Sequence, residues 1–158
     1  MLARHRLLVV TVLVVALAPA CSGGKRLTRA DFQERANKEC GSLQKASDEF
    51  AKAQAPGASG TDVAKYLHAG AEELRKLVDR LDRLAPPSEM EDGVDDLLEL
   101  LSDYADGLDK LSDRSGSQQT FQDVLHESSG TVKRLNNLAE RASTTVAELG
   151  LIGCILPG

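Results

Sequence analysis

Three cysteines, a row of carboxylates and three histidines are the residues of this 158-residue chain whose types and spacing could do chemistry. Cys21 follows Ala18-Pro19-Ala20 and precedes Ser22-Gly23-Gly24. Upstream of it, Arg4 and Arg6 lead into the apolar run from Leu7 to Leu17, which gives the n-, h- and cleavage-region order of a secretory signal peptide over residues 1–20. The run is too short for a membrane-spanning helix, which needs roughly 20 apolar residues. A small residue followed at once by cysteine suits a lipobox, in which the Cys21 thiol is acylated (palmitate is the expected chain) and becomes the new N-terminus. Ala18-x-Ala20 also suits ordinary secretion. The Ser-Gly-Gly that follows reads as a flexible tether and favours the lipoprotein, with residues 21–27 as the lipidated linker. If Cys21 carries lipid, Cys40 and Cys154 remain, and outside the cytoplasm two such thiols can form a disulfide. The chain-entropy model assigns a loop of that length roughly 4–5 kcal/mol. Metal ligation is the rival use, poorly served because no histidine stands near either cysteine.

The carboxylates gather in one segment. Between Ser88 and Arg114 stand ten acids, opposed only by Lys110 and Arg114. Asp92, Asp96, Glu99, Asp103, Asp106 and Asp113 repeat two positions after an apolar stripe. Two residues turn a helix by about 200°, which places the row on the outward face. It is expected either to be a solvated surface or to dock a basic partner. Like charges three and four apart weaken a helix by a few tenths of a kcal/mol each. A calcium loop fails on spacing: with Gly93 at the invariant glycine, Met90 falls on a ligand position and cannot bind a hard cation.

The histidines offer less. His5 leaves with the signal, while His68 and His126 stand alone beside the core positions Leu67 and Leu125. Asp123-x-x-His126 could present two ligands from one helix face, but a di-iron bundle needs two Glu-x-x-His motifs and two further carboxylates. The chain lacks a Gly-x-Ser-x-Gly elbow, a phosphate-cradling Gly-Lys-Ser/Thr and a His-Glu-x-x-His pair. The expectation is a non-enzymatic protein with no metal and no cofactor. Removing residues 1–20 takes Arg4 and Arg6 with them, so the net charge falls from −5 to −7, and nucleic acid is disfavoured as a partner.

These groups need elements to hold them, and the periodicity is helical throughout. Thr28, with Asp31 three residues on, opens a first helix ending near Gln54, with Phe32, Ala36, Cys40, Leu43, Ala46 and Phe50 on one face. Thr61 is expected to cap a second, whose stripe runs from Val63 through Gly70 to Leu84 until Pro86-Pro87 stops it. Ser88 with Glu91 reads as a capping box for a third, striped from Met90 to Leu111. Thr120 with Asp123 opens a fourth that runs to Leu149, with Gly150 placed for a Schellman ending. The expected fold is all-α: an antiparallel up-down-up-down four-helix bundle over residues 28–158, after a cleaved signal peptide. The apolar tail from Leu151 to Leu156 would strap over the core. Small residues at Ala36, Gly70, Ser128, Ala139 and Ala142 imply close helix approach or, alternatively, a pocket between helices.

"RANKECG" (Arg35 to Gly41), "LDRLAPPSEM" (Leu81 to Met90) and "ELGLIGC" (Glu148 to Cys154) resemble a diffuse group of actinobacterial secreted proteins and lipoproteins. The shared features are a cysteine in the first helix, a Leu-x-Pro-Pro hinge and a C-terminal Leu-Gly-Leu-x-x-Cys. The resemblance implies a helical bundle bridged between Cys40 and Cys154, and brings no activity or site residues. The expected protein is anchored by lipid on the extracytoplasmic face of the cell membrane as an interaction or accessory module for a basic envelope protein. The alternative is a binder of a small apolar ligand or lipid between its helices.

Overall fold

The computed structural model describes residues 26–154. The expected signal peptide, the expected acylation site Cys21, the expected tether up to residue 25 and the tail residues Ile155 and Leu156 lie outside the described residues. Within them the chain is all-helical, without strands. The α-helices are α1 (Arg29–Cys40), α2 (Leu43–Ala53), α3 (Gly60–Asp82), α4 (Glu91–Arg114), α5 (Phe121–Glu127) and α6 (Ser129–Leu149).

The first and fourth expected helices are each broken once. At Gly41-Ser42 the backbone tightens to i→i−3 bonds, from Gly41 N–H to Lys38 O and from Ser42 N–H to Glu39 O. The Ser42 hydroxyl donates to the same Glu39 carbonyl at 2.9 Å, competing with the helical ladder. At Ser128 the backbone turns to φ −105°, ψ 25° between α5 and α6. Unbroken helical periodicity crosses both points, so the pattern alone could not show them.

Two caps differ from expectation. Ser59, not Thr61, is the N-cap of α3: its side chain accepts from Asp62 N–H while the Asp62 carboxylate accepts from Ser59 N–H. Ser88 forms no capping box with Glu91. It begins a single 3₁₀ turn, Ser88–Met90, and Glu91 starts α4 with its carboxylate 2.7 Å from Arg26 instead. The Thr28 and Thr120 caps and the Gly150 ending form as the sequence implies. Gly150 sits at φ +71°, the left-handed region that glycine adopts without strain, and Leu151 N–H bonds Val146 O as a Schellman motif requires.

One apolar core runs through all six helices. α4 is central, packed on α3 and α6, while α2 packs on α3. Its buried face is therefore wider than a heptad stripe, taking in Leu100, Ala105 and Gly107 beside the expected positions. In α5 and α6 the core turns toward Val124, Leu138 and Thr145, leaving the expected Leu125, Val132 and Ala139 only half-buried. A Cβ on Gly70 would lie 3.7 Å from Ala46 O and 3.8 Å from Leu108 Cδ1. Both are ordinary van der Waals distances, so a methyl group at this position would fit the α2–α3 seam.

Cys40 and Cys154 form a disulfide, their Cα atoms 4.9 Å apart across 114 residues of sequence. The described part of the tail lies along α1. The Gln33 amide donates to Leu149 O at 2.7 Å, and Gly153 N–H donates to the Asn37 side chain at 3.0 Å. Leu151 and Cys154 are buried, while Ile152 points to solvent.

Candidate functional site

The acids of α4 divide by where the helix carries them. Because α4 lies between α3 and α6, some of its carboxylates meet cations of those neighbours and others meet solvent. Toward α6, Asp103 pairs with Arg134 at 2.8 Å. Asp96 lies 3.7 Å from Arg141 and accepts a hydrogen bond from Thr145 Oγ1 at 3.2 Å. Toward α3, Arg75 reaches Asp106 at 2.9 Å and Asp109 at 2.6 Å. Asp92, Glu99 and Asp113 are exposed and meet no partner among the described residues. The expected six-residue row is thus two sets: three residues that tie α4 to its neighbours and three that face outward unpaired.

Asp109 lies one helical position off that row, so the heptad spacing passed it over. It accepts from Arg75 and lies 2.8 Å from Nδ1 of His68, whose Nε2 is 3.7 Å from Glu72. His68 is therefore not a lone boundary residue but part of a four-residue cluster across α3 and α4. Partial burial pushes the Asp109 carboxyl up, but the hydrogen bonds from His68 and Arg75 outweigh it and hold the group below the usual carboxylate range. The same carboxylates, Asp106 first, raise Arg75.

The remaining candidates are accounted for locally. Asp123 spends its carboxylate on the α5 capping box, accepting from Thr120 N–H at 2.8 Å and Thr120 Oγ1 at 2.7 Å, while His126 is exposed. Among the described residues no group of three His, Cys, Asp or Glu is placed to hold a metal ion. The described helices include none long and apolar enough to cross a membrane. The Cys40 and Cys154 sulfurs are joined to each other, which leaves no described thiol for ligation. Beside Gly70, where an inter-helix pocket was the alternative expectation, an added methyl group would lie in ordinary contact with Ala46 and Leu108.

No family model, curated protein or solved structure matches this chain.

Proposed function

We propose that the chain is a lipid-anchored, non-enzymatic interaction module on the extracytoplasmic face of the cell membrane, docking a basic partner on the outer line of α4. The observation that carries this reading is the division of the α4 acids. Interhelical pairing explains Asp96, Asp103, Asp106 and Asp109, but not Asp92, Glu99 and Asp113. They share one heptad line with Asp106, which Arg75 holds, and the line runs over some 30 Å of helix at about 1.5 Å per residue. The address rests on the Ala20-Cys21 junction and the Ser-Gly-Gly after it.

The helices fit an antiparallel up-down-up-down bundle in which α1 with α2 and α5 with α6 each act as one bent member. At one end of this arrangement Gln33 meets Leu149; at the other the Phe50 and Phe121 rings stand edge to face at 5.8 Å. Ring-to-ring proton contacts between Phe50 and Phe121 in solution would support it.

Crosslinking in intact cells tests the function. Asp92→Lys, Glu99→Lys and Asp113→Lys together should abolish the crosslink to a basic envelope protein and leave folding unchanged. Cys21→Ser should move the chain from the membrane fraction to the medium, since stable anchoring takes two acyl chains or an equivalent second signal. Retained crosslinking in the triple variant removes the α4 reading, and retained membrane association of Cys21→Ser removes the anchor.

A further inference from the structure

Ion pairs cross three helix seams. Glu39 reaches Arg80 between α1 and α3 at 3.0 Å, Asp106 and Asp109 reach Arg75 between α4 and α3, and Asp103 reaches Arg134 between α4 and α6. The α2–α3 seam differs, although the two helices pack closely. Its ion pairs stay within one helix: Lys52 with Glu49 at 2.6 Å, and Lys76 with Glu73 at 2.8 Å. Lys52 leans across, its ammonium 5.8 Å from the centroid of the Tyr66 ring, where Lys65 of α3 stands at 5.7 Å, and the charge of Lys45 on α2 helps to lower the Glu73 carboxyl on α3.

Two adjoining clefts that share Lys52 lie along this seam, of about 210 Å³ and about 310 Å³. Asp48 and Glu49 stand on the α2 side and Glu72 and Glu73 on the α3 side, with the small side chain of Ala69 between them. Beyond Lys52 the second cleft continues past Pro56 and Ala58 to Tyr66. The lining of the two clefts together holds five carboxylates against Lys45 and Lys52.

We propose that this groove is a docking site for an extended, lysine- or arginine-rich segment of a partner protein. Three features select that occupant. The excess of carboxylates attracts cations and repels acidic chains. An incoming ammonium can replace Lys52 on Glu49 at little cost, because exposed intrahelical pairs contribute only a few tenths of a kcal/mol. The small Ala69 side chain between the two walls lets the aliphatic stem of a long basic side chain lie flat while its head reaches the carboxylates on either side. The eleven residues of α2 span about 16 Å at 1.5 Å each, which about five extended residues cover. This groove is separate from the outer line of α4, and neither site depends on the other.

The test is fluorescence anisotropy of a labelled hexapeptide alternating lysine and leucine, titrated with the purified full chain at low ionic strength. Saturable binding is expected. Asp48→Lys with Glu72→Lys should weaken it about tenfold or more, whereas Asp92→Lys with Glu99→Lys on α4 should change it less than about twofold. Ala69→Leu, which fills the groove without changing its charge, should weaken it as well. Thermal melts followed by circular dichroism establish that each variant is folded. Should Asp48→Lys with Glu72→Lys not fold, Ala69→Leu and peptide-induced shifts of the Tyr66 and Ala69 amides decide the matter. No saturable binding, equal weakening by the groove and α4 pairs, or no weakening by Ala69→Leu overturns the groove. A peptide that loses affinity only with the α4 pair overturns it too, while leaving the α4 reading standing.

Discussion

Asp109 shows at the scale of one residue how the fold assigns a role. Its carboxylate is held by Arg75 at 2.6 Å and lies 2.8 Å from His68 Nδ1, with about a quarter of its side chain exposed. Those partners keep its folded pKa below the unfolded value of about 3.9. A carboxyl with a depressed folded pKa contributes stability that is fully present above its unfolded pKa and lost as pH falls through the folded value. The expected outcome is a fall in stability below about pH 4, with Asp109→Asn less stable than the parent at neutral pH and flatter across the acid range. Acid-unfolding curves of parent and mutant, followed by circular dichroism, check this, and parallel curves would clear Asp109 of the role. The sequence could not show the cluster, because His68 and Asp109 stand 41 residues apart and their meeting depends on how α3 faces α4. The caps were readable because they are local: Thr28 with Asp31 and Thr120 with Asp123 are three residues apart, within reach of one helical turn.

At the scale of the element, α4 is the helix whose charge must be divided before it can be interpreted. Heptad spacing correctly set its acids away from the apolar stripe but could not separate paired from unpaired acids. That distinction depends on α3 and α6 packing against both sides of α4. It gives opposite expectations for acids of one row. Asp96→Lys with Asp103→Lys places lysines beside Arg141 and Arg134, and should lower stability by about 0.5–1 kcal/mol per lost pair. Glu99→Lys with Asp113→Lys relieves like-charge repulsion along the helix, and with Asp113 in the last turn it should be neutral or slightly stabilising. Urea unfolding of the two double variants measures the difference, and equal stability would show that the flank pairs contribute nothing. The breaks at Gly41-Ser42 and Ser128 were hidden for a related reason. A bend that keeps the apolar face toward the core leaves the periodicity intact, and what holds the first one is tertiary: Arg80 from α3 bonds both Glu39 and Ser42 across it.

For the whole molecule the Cys40–Cys154 bridge decides how the two ends of the chain are kept together. α1 has only twelve residues, a length at which an isolated helix is marginal, and its outer side is held by the tail through Gln33, Asn37 and Cys40. Cys154→Ser should cost about 2–4 kcal/mol, because the bridge closes a loop of over a hundred residues in the unfolded chain. The loss should appear as a lower melting temperature and as faster amide exchange in α1 than in α4. Uniform exchange across the helices would show that the bridge acts on the chain as a whole and not on α1. What the sequence by itself determined is what local physics controls: the all-helical class, the apolar positions of α3 and α4, and three of the helix ends, while the Cys40–Cys154 pair followed from the family resemblance. The tertiary structure alone decided which acids of α4 are tied and which are open, why His68 matters, where two helices bend, and which face of α5 and α6 enters the core. Those outcomes depend on which surfaces of distant segments meet, and a spacing of three or four residues carries no information about a partner forty or a hundred residues away.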